Sequence, residues 1–286
     1  MIKKWYFCNK RRKMMERKYW ILAILAVLTL SALSCGVTIE GFDSSFDFEV
    51  VKGNGDIEEE ERSVTSFDSI ALTGIGTVYI EKGEDEELII EAEENLMEYI
   101  ETSVRNDTLT IGIENGITLR PTEPIIYYLT VVNLNSVDIS GASDVNVDII
   151  DSEEFSIKIS GAGDFAIDQL ESDEVTIGIS GAGNVNIDSL YAENIDVNIS
   201  GVGNLDIDDG EIDSQDISIS GTGDYDAEDV ESNEVEISLS GLGSATVYVI
   251  EELDVHISGA GSVNYRGNPR ITQNVSGIGK LEYIGK

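Results

Sequence analysis

Ser160-Gly161-Ala162-Gly163-Asp164-Phe165-Ala166-Ile167-Asp168 is followed, twenty residues on, by Ser180-Gly181-Ala182-Gly183-Asn184-Val185-Asn186-Ile187-Asp188. The Ser-Gly pair stands at 140–141, 160–161, 180–181, 200–201, 220–221 and 240–241, then at 258–259 and 276–277 with the spacing cut to eighteen. Seven of these eight copies read Ser-Gly-x-Gly; the first reads Ser140-Gly141-Ala142-Ser143. So regular a period marks a repeat architecture, a stack of equivalent coils.

Aligned on that phrase, apolar residues fall into columns. One reads Val145, Phe165, Val185, Leu205, Tyr225, Ala245; two residues on, another reads Val147, Ile167, Ile187, Ile207, Ala227, Val247. A second alternating run precedes each Ser-Gly, as in Phe155, Ile157, Ile159 and Val175, Ile177, Ile179. Alternation with period two is the pattern of a half-buried strand. A lone apolar anchor sits between the runs at Ile150, Leu170, Leu190, Val230 and Ile250, while Gly210 and Gln215 break their columns. Each coil is therefore expected to hold two or three short strands, with Gly-x-Gly at a sharp bend where positive φ would suit glycine. Parallel connections are overwhelmingly right-handed. The expected fold is all-β: a right-handed single-chain parallel β-helix of about twenty-residue coils, roughly 38 Å tall at about 4.8 Å per coil.

Toward the amino terminus, a basic stretch (Lys3 to Lys18) precedes an apolar run from Trp20 to Leu33 and then Ser34-Cys35. That order describes a secretory signal peptide. Leu30-Ser31-Ala32-Leu33-Ser34-Cys35 resembles the lipobox of bacterial lipoproteins, which implies cleavage before Cys35 and a lipid on its sulfur. Several acyl chains on one residue anchor stably, because each buried CH₂ contributes about 0.8 kcal/mol. The other cysteine, Cys8, lies in the leader, so the mature chain has no disulfide. The expected organisation is a leader at 1–34, an acidic tether at 35–61 and a β-helix domain at 62–286. Within the tether, Asp56-Ile57-Glu58-Glu59-Glu60-Glu61 reads as disordered, as like-charge runs usually are.

Ser66 to Ile80 is a degenerate copy of the repeat with Thr73-Gly74-Ile75-Gly76 at its bend. Leu88–Ala92, Leu109–Ile113 and Ile125–Val132 read as strands, and Asn95 to Val104 as a short helix or an irregular strand. Terminal coils of a solenoid are atypical because they cap an open core. The segment Arg62 through Ile80, Glu94 through Thr102, Asn106 through Ile111 and the repeated Ile-Ser-Gly-x-Gly together resemble the DUF2807 family, also called the putative auto-transporter adhesin head GIN domain. The resemblance covers residues 62–285. It implies a β-helix-like domain in an envelope protein and supplies no catalytic residues.

The whole chain carries −37; eight of its eighteen bases and one of its fifty-five acids lie in 1–34, leaving −44 beyond them. Such a charge repels nucleic acid and anionic headgroups. Asp148, Asp168, Asp188, Asp208 and Glu228 form one acidic column, and Asp144, Asp164, Asn184, Asn204 and Asp224 another. These columns read either as a solvated acidic face or as rungs holding Ca²⁺, which takes several carboxylate and carbonyl oxygens. Gly-x-Gly here lacks the third glycine and following helix of a nucleotide loop. The serine column reads as a structural ladder whose hydroxyls satisfy the bend. A nucleophile needs a positioned base, and the single histidine, His256, falls on an outward phase. The expectation is a lipid-anchored envelope protein, periplasmic or surface-facing, that binds a glycan or protein or self-associates. No catalysis, cofactor, metal or nucleic acid is expected. The second reading is a polysaccharide lyase or glycoside hydrolase, which other β-helices support.

Overall fold

The computed structural model describes residues 49–285. The leader, Cys8, Cys35 and the tether up to Phe48 lie outside the described residues.

Alternating apolar residues cannot all face water, and stacking identical coils buries one side of every strand without a second sheet. The backbone registers accordingly. β11 (Ala142–Ile159) pairs in parallel with β12 (Phe165–Ile179), and β12 with β13 (Val185–Ile199), placing Val145, Phe165 and Val185 in one column. The twenty-residue step continues through β14 (Leu205–Ile207), β15 (Gly210–Ile219) and β16 (Asp224–Leu239). The protein is a parallel β-solenoid of about eight turns. Pairing lapses at Asp148/Asp168/Asp188 and at Glu153/Asp173/Glu193, so each coil has three straight segments with acidic corners. Both apolar columns and the Leu170–Leu190 anchors are buried. Each such side chain contributes about 1.5–3 kcal/mol against exposure.

The shortened coil changes register. Ala227 pairs with Val247 of β17 (Ser244–Ile257), but Glu231 pairs with Tyr248. Val249 thereby turns inward and is buried, while Ile250, expected as an anchor, is 38 % exposed. β17 then carries β18 (Ser262–Gly267) and β19 (Arg270–Val275), and β18 carries β20 (Lys280–Gly285).

The amino-terminal turns do not follow chain order. β3 (Ser69–Leu72) and β4 (Ile75–Lys82) lie directly beneath β10 (Ser136–Ile139) and β11, with Ile70 under Val137 and Val78 under Val145. The sequence between them doubles back. β7 (Thr108–Ile113) and β9 (Ile126–Val131) form the turn below, and β5 (Glu87–Glu93) and β6 (Ile100–Arg105) close it by antiparallel pairing. The segment expected as helix or strand is both: α1 (Glu94–Met97), then β6.

The acidic run expected to be disordered is ordered. Ile57–Arg62 forms β2, antiparallel to β5, and Glu49–Lys52 forms β1, parallel to β8 (Ile117–Arg120). The tether boundary at residue 61 thus cuts a strand. The backbone of β5 offers β2 a ladder, and Glu58, Glu59 and Glu61 keep exposed positions on it, with Glu60 half-buried. Buried Glu93 fastens this end: its carboxylate accepts bonds from the Gly55 N–H at 2.6 Å, the Thr122 N–H at 2.8 Å and the Thr122 hydroxyl. Burial pushes its carboxyl up, but these bonds outweigh burial and hold it below the usual carboxylate range. A lowered folded-state pKa gives stability that is present above the unfolded value, about 4.3, and is lost as pH falls through the folded one. The stability difference between the protein and Glu93→Gln, from urea denaturation, should be largest near neutrality and shrink below about pH 4.

Candidate functional site

The Ser-Gly-x-Gly corner is built by close stacking of main chain on main chain. The Ser180 and Gly181 N–H groups both donate to the Ile159 carbonyl, at 2.9 and 3.1 Å, and the Ala182 N–H donates to Gly161 at 2.9 Å. None of the corner glycines from Gly141 to Gly279 has φ in the left-handed region, contrary to the sequence expectation. Their requirement is space: a methyl group on Gly181 would lie 2.0 Å from the Gly161 carbonyl oxygen, and one on Gly183 2.0 Å from that of Gly163. The serines of the column are exposed. Main-chain bonds close the bend, and the Ser140 hydroxyl adds a 3.4 Å bond to the Leu72 carbonyl.

The second acidic column is also spent on structure. Asp144 Oδ1 accepts the Asp164 N–H at 3.1 Å, Asp164 Oδ1 the Asn184 N–H at 2.9 Å, and Asn184 Oδ1 the Asn204 N–H at 3.2 Å. Asn204 Oδ1 accepts from Asp224, and Asp224 Oδ1 accepts the Ser244 N–H at 2.9 Å. Each side chain needs only an acceptor oxygen, which is why Asp and Asn interchange along it. Asp164→Asn should leave stability within about 0.5 kcal/mol, whereas Asp164→Ala should cost about 1 kcal/mol by orphaning the N–H above; thermal denaturation measures both. Each of these side chains thus commits one oxygen to the coil above it. Among the described residues there is no grouping of three or more His, Cys, Asp or Glu that could hold a metal ion.

A second outward display lies at the other corners. Asp148, Asp168, Asp188, Asp208 and Glu228 are all exposed. On the next corner, Asn233 Nδ2 donates to Asp213 at 2.6 Å, and nearby Asn194 Nδ2 donates to Glu174 at 3.0 Å, so amides relieve repulsion between rungs. Beside that corner is a shallow groove of about 240 Å³ lined by Tyr191, Glu193, Glu211, Asp213, Glu231 and Asn233. Tyr191 is 45 % exposed, an aromatic face among carboxylates, an arrangement suited to a cationic or hydroxyl-rich ligand.

The groove follows from the irregular coil. Gly210 (φ +148°) stands over Leu190, where a side chain would strike the Leu190 carbonyl at 1.9 Å. Ile212, two residues on, turns inward and fills the space. Behind it Gln215 is buried: the Tyr225 hydroxyl donates to its Oε1 at 2.7 Å, and its Nε2 donates to the Ser232 hydroxyl. Both breaks are visible in the sequence; their compensation and the groove are not. His256 is half exposed, 3.3 Å from Asp254, and stands in register with Ser238 and Asn274, outside the Ser-Gly column.

The family described as "Putative auto-transporter adhesin, head GIN domain" (DUF2807) matches residues 66–269. The chain belongs to the DUF2807 family. Among solved structures, this DUF2807 protein is similar to a putative adhesin from Parabacteroides merdae, at 25 % identity over 82 % of this chain and 99 % of that one, with a TM-score of 0.77. A putative adhesin from Parabacteroides distasonis, at 23 % identity over 82 % and 100 %, gives a TM-score of 0.78. A protein described as a putative lipid binding protein from the same species, 22 % identical over 82 % and 100 %, gives 0.71. Among curated proteins none matches the chain. The family and the Parabacteroides merdae neighbour support an adhesin-like binding domain of the cell surface or envelope.

Proposed function

We propose that this DUF2807 protein is a non-catalytic binding module, held in the envelope membrane by lipid on Cys35, that engages a polyvalent glycan or protein along its corner columns. The register carries this reading: Phe165, Val185, Leu205 and Tyr225 stack in sequence, so the outward groups of each coil recur at one spacing of about 4.8 Å. A ligand with repeated hydroxyl or cationic groups meets the same acceptors rung after rung, and contacts that are weak singly add through effective concentration. The acidic surface disfavours nucleic acid and anionic lipid as partners of these faces. The adhesin descriptions of the family and its neighbours agree with a binding role.

Incubation of the soluble domain with arrays of glycans and basic peptides, beside a polysaccharide turnover assay, tests the reading. Binding that weakens with added salt, without product release, is expected; released product would overturn it in favour of an envelope polysaccharide-active enzyme. The anchor has its own test. Cys35→Ser should move the protein from the membrane to the soluble fraction and abolish the acyl mass on the mature amino terminus. Unchanged fractionation would remove the lipid from the account.

A further inference from the structure

The two ends of the solenoid are finished differently. At the amino-terminal end β2 is an outer strand, and Glu58, Glu60 and Arg62 stand opposite buried Ala92, Ile90 and Leu88 of β5. The row of β2 aligned with the core is therefore charged, with Arg62 paired to Glu60. Charges aimed inward at an edge blunt it against added strands. At the carboxy-terminal end, Ile271, Gln273 and Val275 of β19 sit in register with buried Leu253, Val255 and Ile257, so they continue the core column. Nothing in the described chain lies over them: Ile271 is 37 % and Val275 41 % exposed. From Ile271 through Gly279 there is no charged residue, and residues 258–286 hold one acid, Glu282, against Arg266, Arg270, Lys280 and Lys286. Arg270 pairs with Glu252, Lys280 with Glu282 and Arg266 with Asp229. In a protein otherwise strongly acidic, this end holds more bases than acids, and the core-aligned row of β19 is uncharged.

We propose that the free edge of β19 pairs antiparallel with β19 of a second copy, about a two-fold axis at Gln273. This deepens the self-association expected of the protein and does not depend on its ligand. Centring on Gln273 sets Ile271 opposite the second copy's Val275, and Thr272 opposite its Asn274, so apolar meets apolar and amide meets hydroxyl. Head-to-tail stacking, face on face, is disfavoured because it would bring β20 over β2 and set Leu281 and Tyr283 against Glu58 and Glu60. An end-to-end two-fold contact is self-limiting at two copies. It also sends the two acidic bodies in opposite directions, minimising their repulsion.

The test uses the chain from residue 36 onward, which contains the compact unit Asp47–Lys286 whole and has no cysteine. Sedimentation equilibrium at up to about 100 μM should give a dimer, strengthened in about 0.5 M NaCl as body repulsion is screened. Gln273→Lys places an unpaired charge at the axis and should weaken the dimer about tenfold or more, with an unchanged circular-dichroism melt. Gln273→Cys should cross-link through its two copies on oxidation or with a short dithiol reagent. A monomer at both salt concentrations overturns the proposal, as does a dimer indifferent to Gln273→Lys. A monomeric chain that instead sediments with anionic phosphatidylglycerol vesicles would assign the end to a membrane surface and equally overturn it.

Discussion

Gly181→Ala should destabilise the domain by about 3–5 kcal/mol, the range of backbone disruptions rather than of surface substitutions. The added methyl would lie 2.0 Å from the Gly161 carbonyl oxygen and 2.6 Å from that of Ser160. Both are main-chain atoms of the coil beneath, so neither can swing aside as a side chain would. The coils must part locally, which stretches the Ala182 N–H bond to Gly161 and the paired bonds to Ile159. Each buried group left unmatched costs about 1–3 kcal/mol. The neighbouring residue provides the control. Ala182→Val should change stability by no more than about 0.5 kcal/mol, because Val202 already occupies the equivalent place one coil on and is 63 % exposed. Urea denaturation of the two variants compares them directly. If Gly181→Ala were as mild as Ala182→Val, close stacking would not be the reason for the glycine.

Gln215→Leu should cost about 2–4 kcal/mol, since it leaves both the Tyr225 hydroxyl and the Ser232 hydroxyl in the core without the partner they now have. Burial already raises the Tyr225 phenol far above its ordinary range, so ionisation offers no escape. Tyr225→Phe should be milder, about 1 kcal/mol, because Gln215 keeps its bond to Ser232. Replacing all three together, as Gln215→Leu, Tyr225→Phe and Ser232→Ala, should recover most of the loss, since removing every member of a polar set leaves nothing unsatisfied. Denaturation midpoints of the single and triple variants form the cycle. Simple addition of the single costs in the triple variant would mean that the three side chains do not act as one unit.

The twenty-residue period determined the solenoid and its buried columns, and with the opening segments it pointed to the family that the DUF2807 match establishes. Repetition makes this legible: a residue that must face the core does so in every coil, and eight copies of one constraint outweigh any single exception. The degenerate copy at Ser66–Ile80 was legible for the same reason. Other features depend on what lies above and below a residue. The glycines could be placed at a bend, but their cause, a carbonyl 2.0 Å away in the next coil, is a tertiary distance. Asp164 and Asp168 are equally acidic and equally exposed, yet the Asp164 side chain caps the next coil's backbone while pairing between coils lapses at Asp168. The order of Glu58–Glu61 came from the ladder that β5 offers, which no local propensity encodes. Ile250 lost its core position to Val249 because two residues are missing from that coil, and the neighbouring strand chose where to absorb the loss. Period is a property of the chain and survives in one dimension; hydrogen-bond partners and close contacts are properties of neighbouring coils, and only folding decides them.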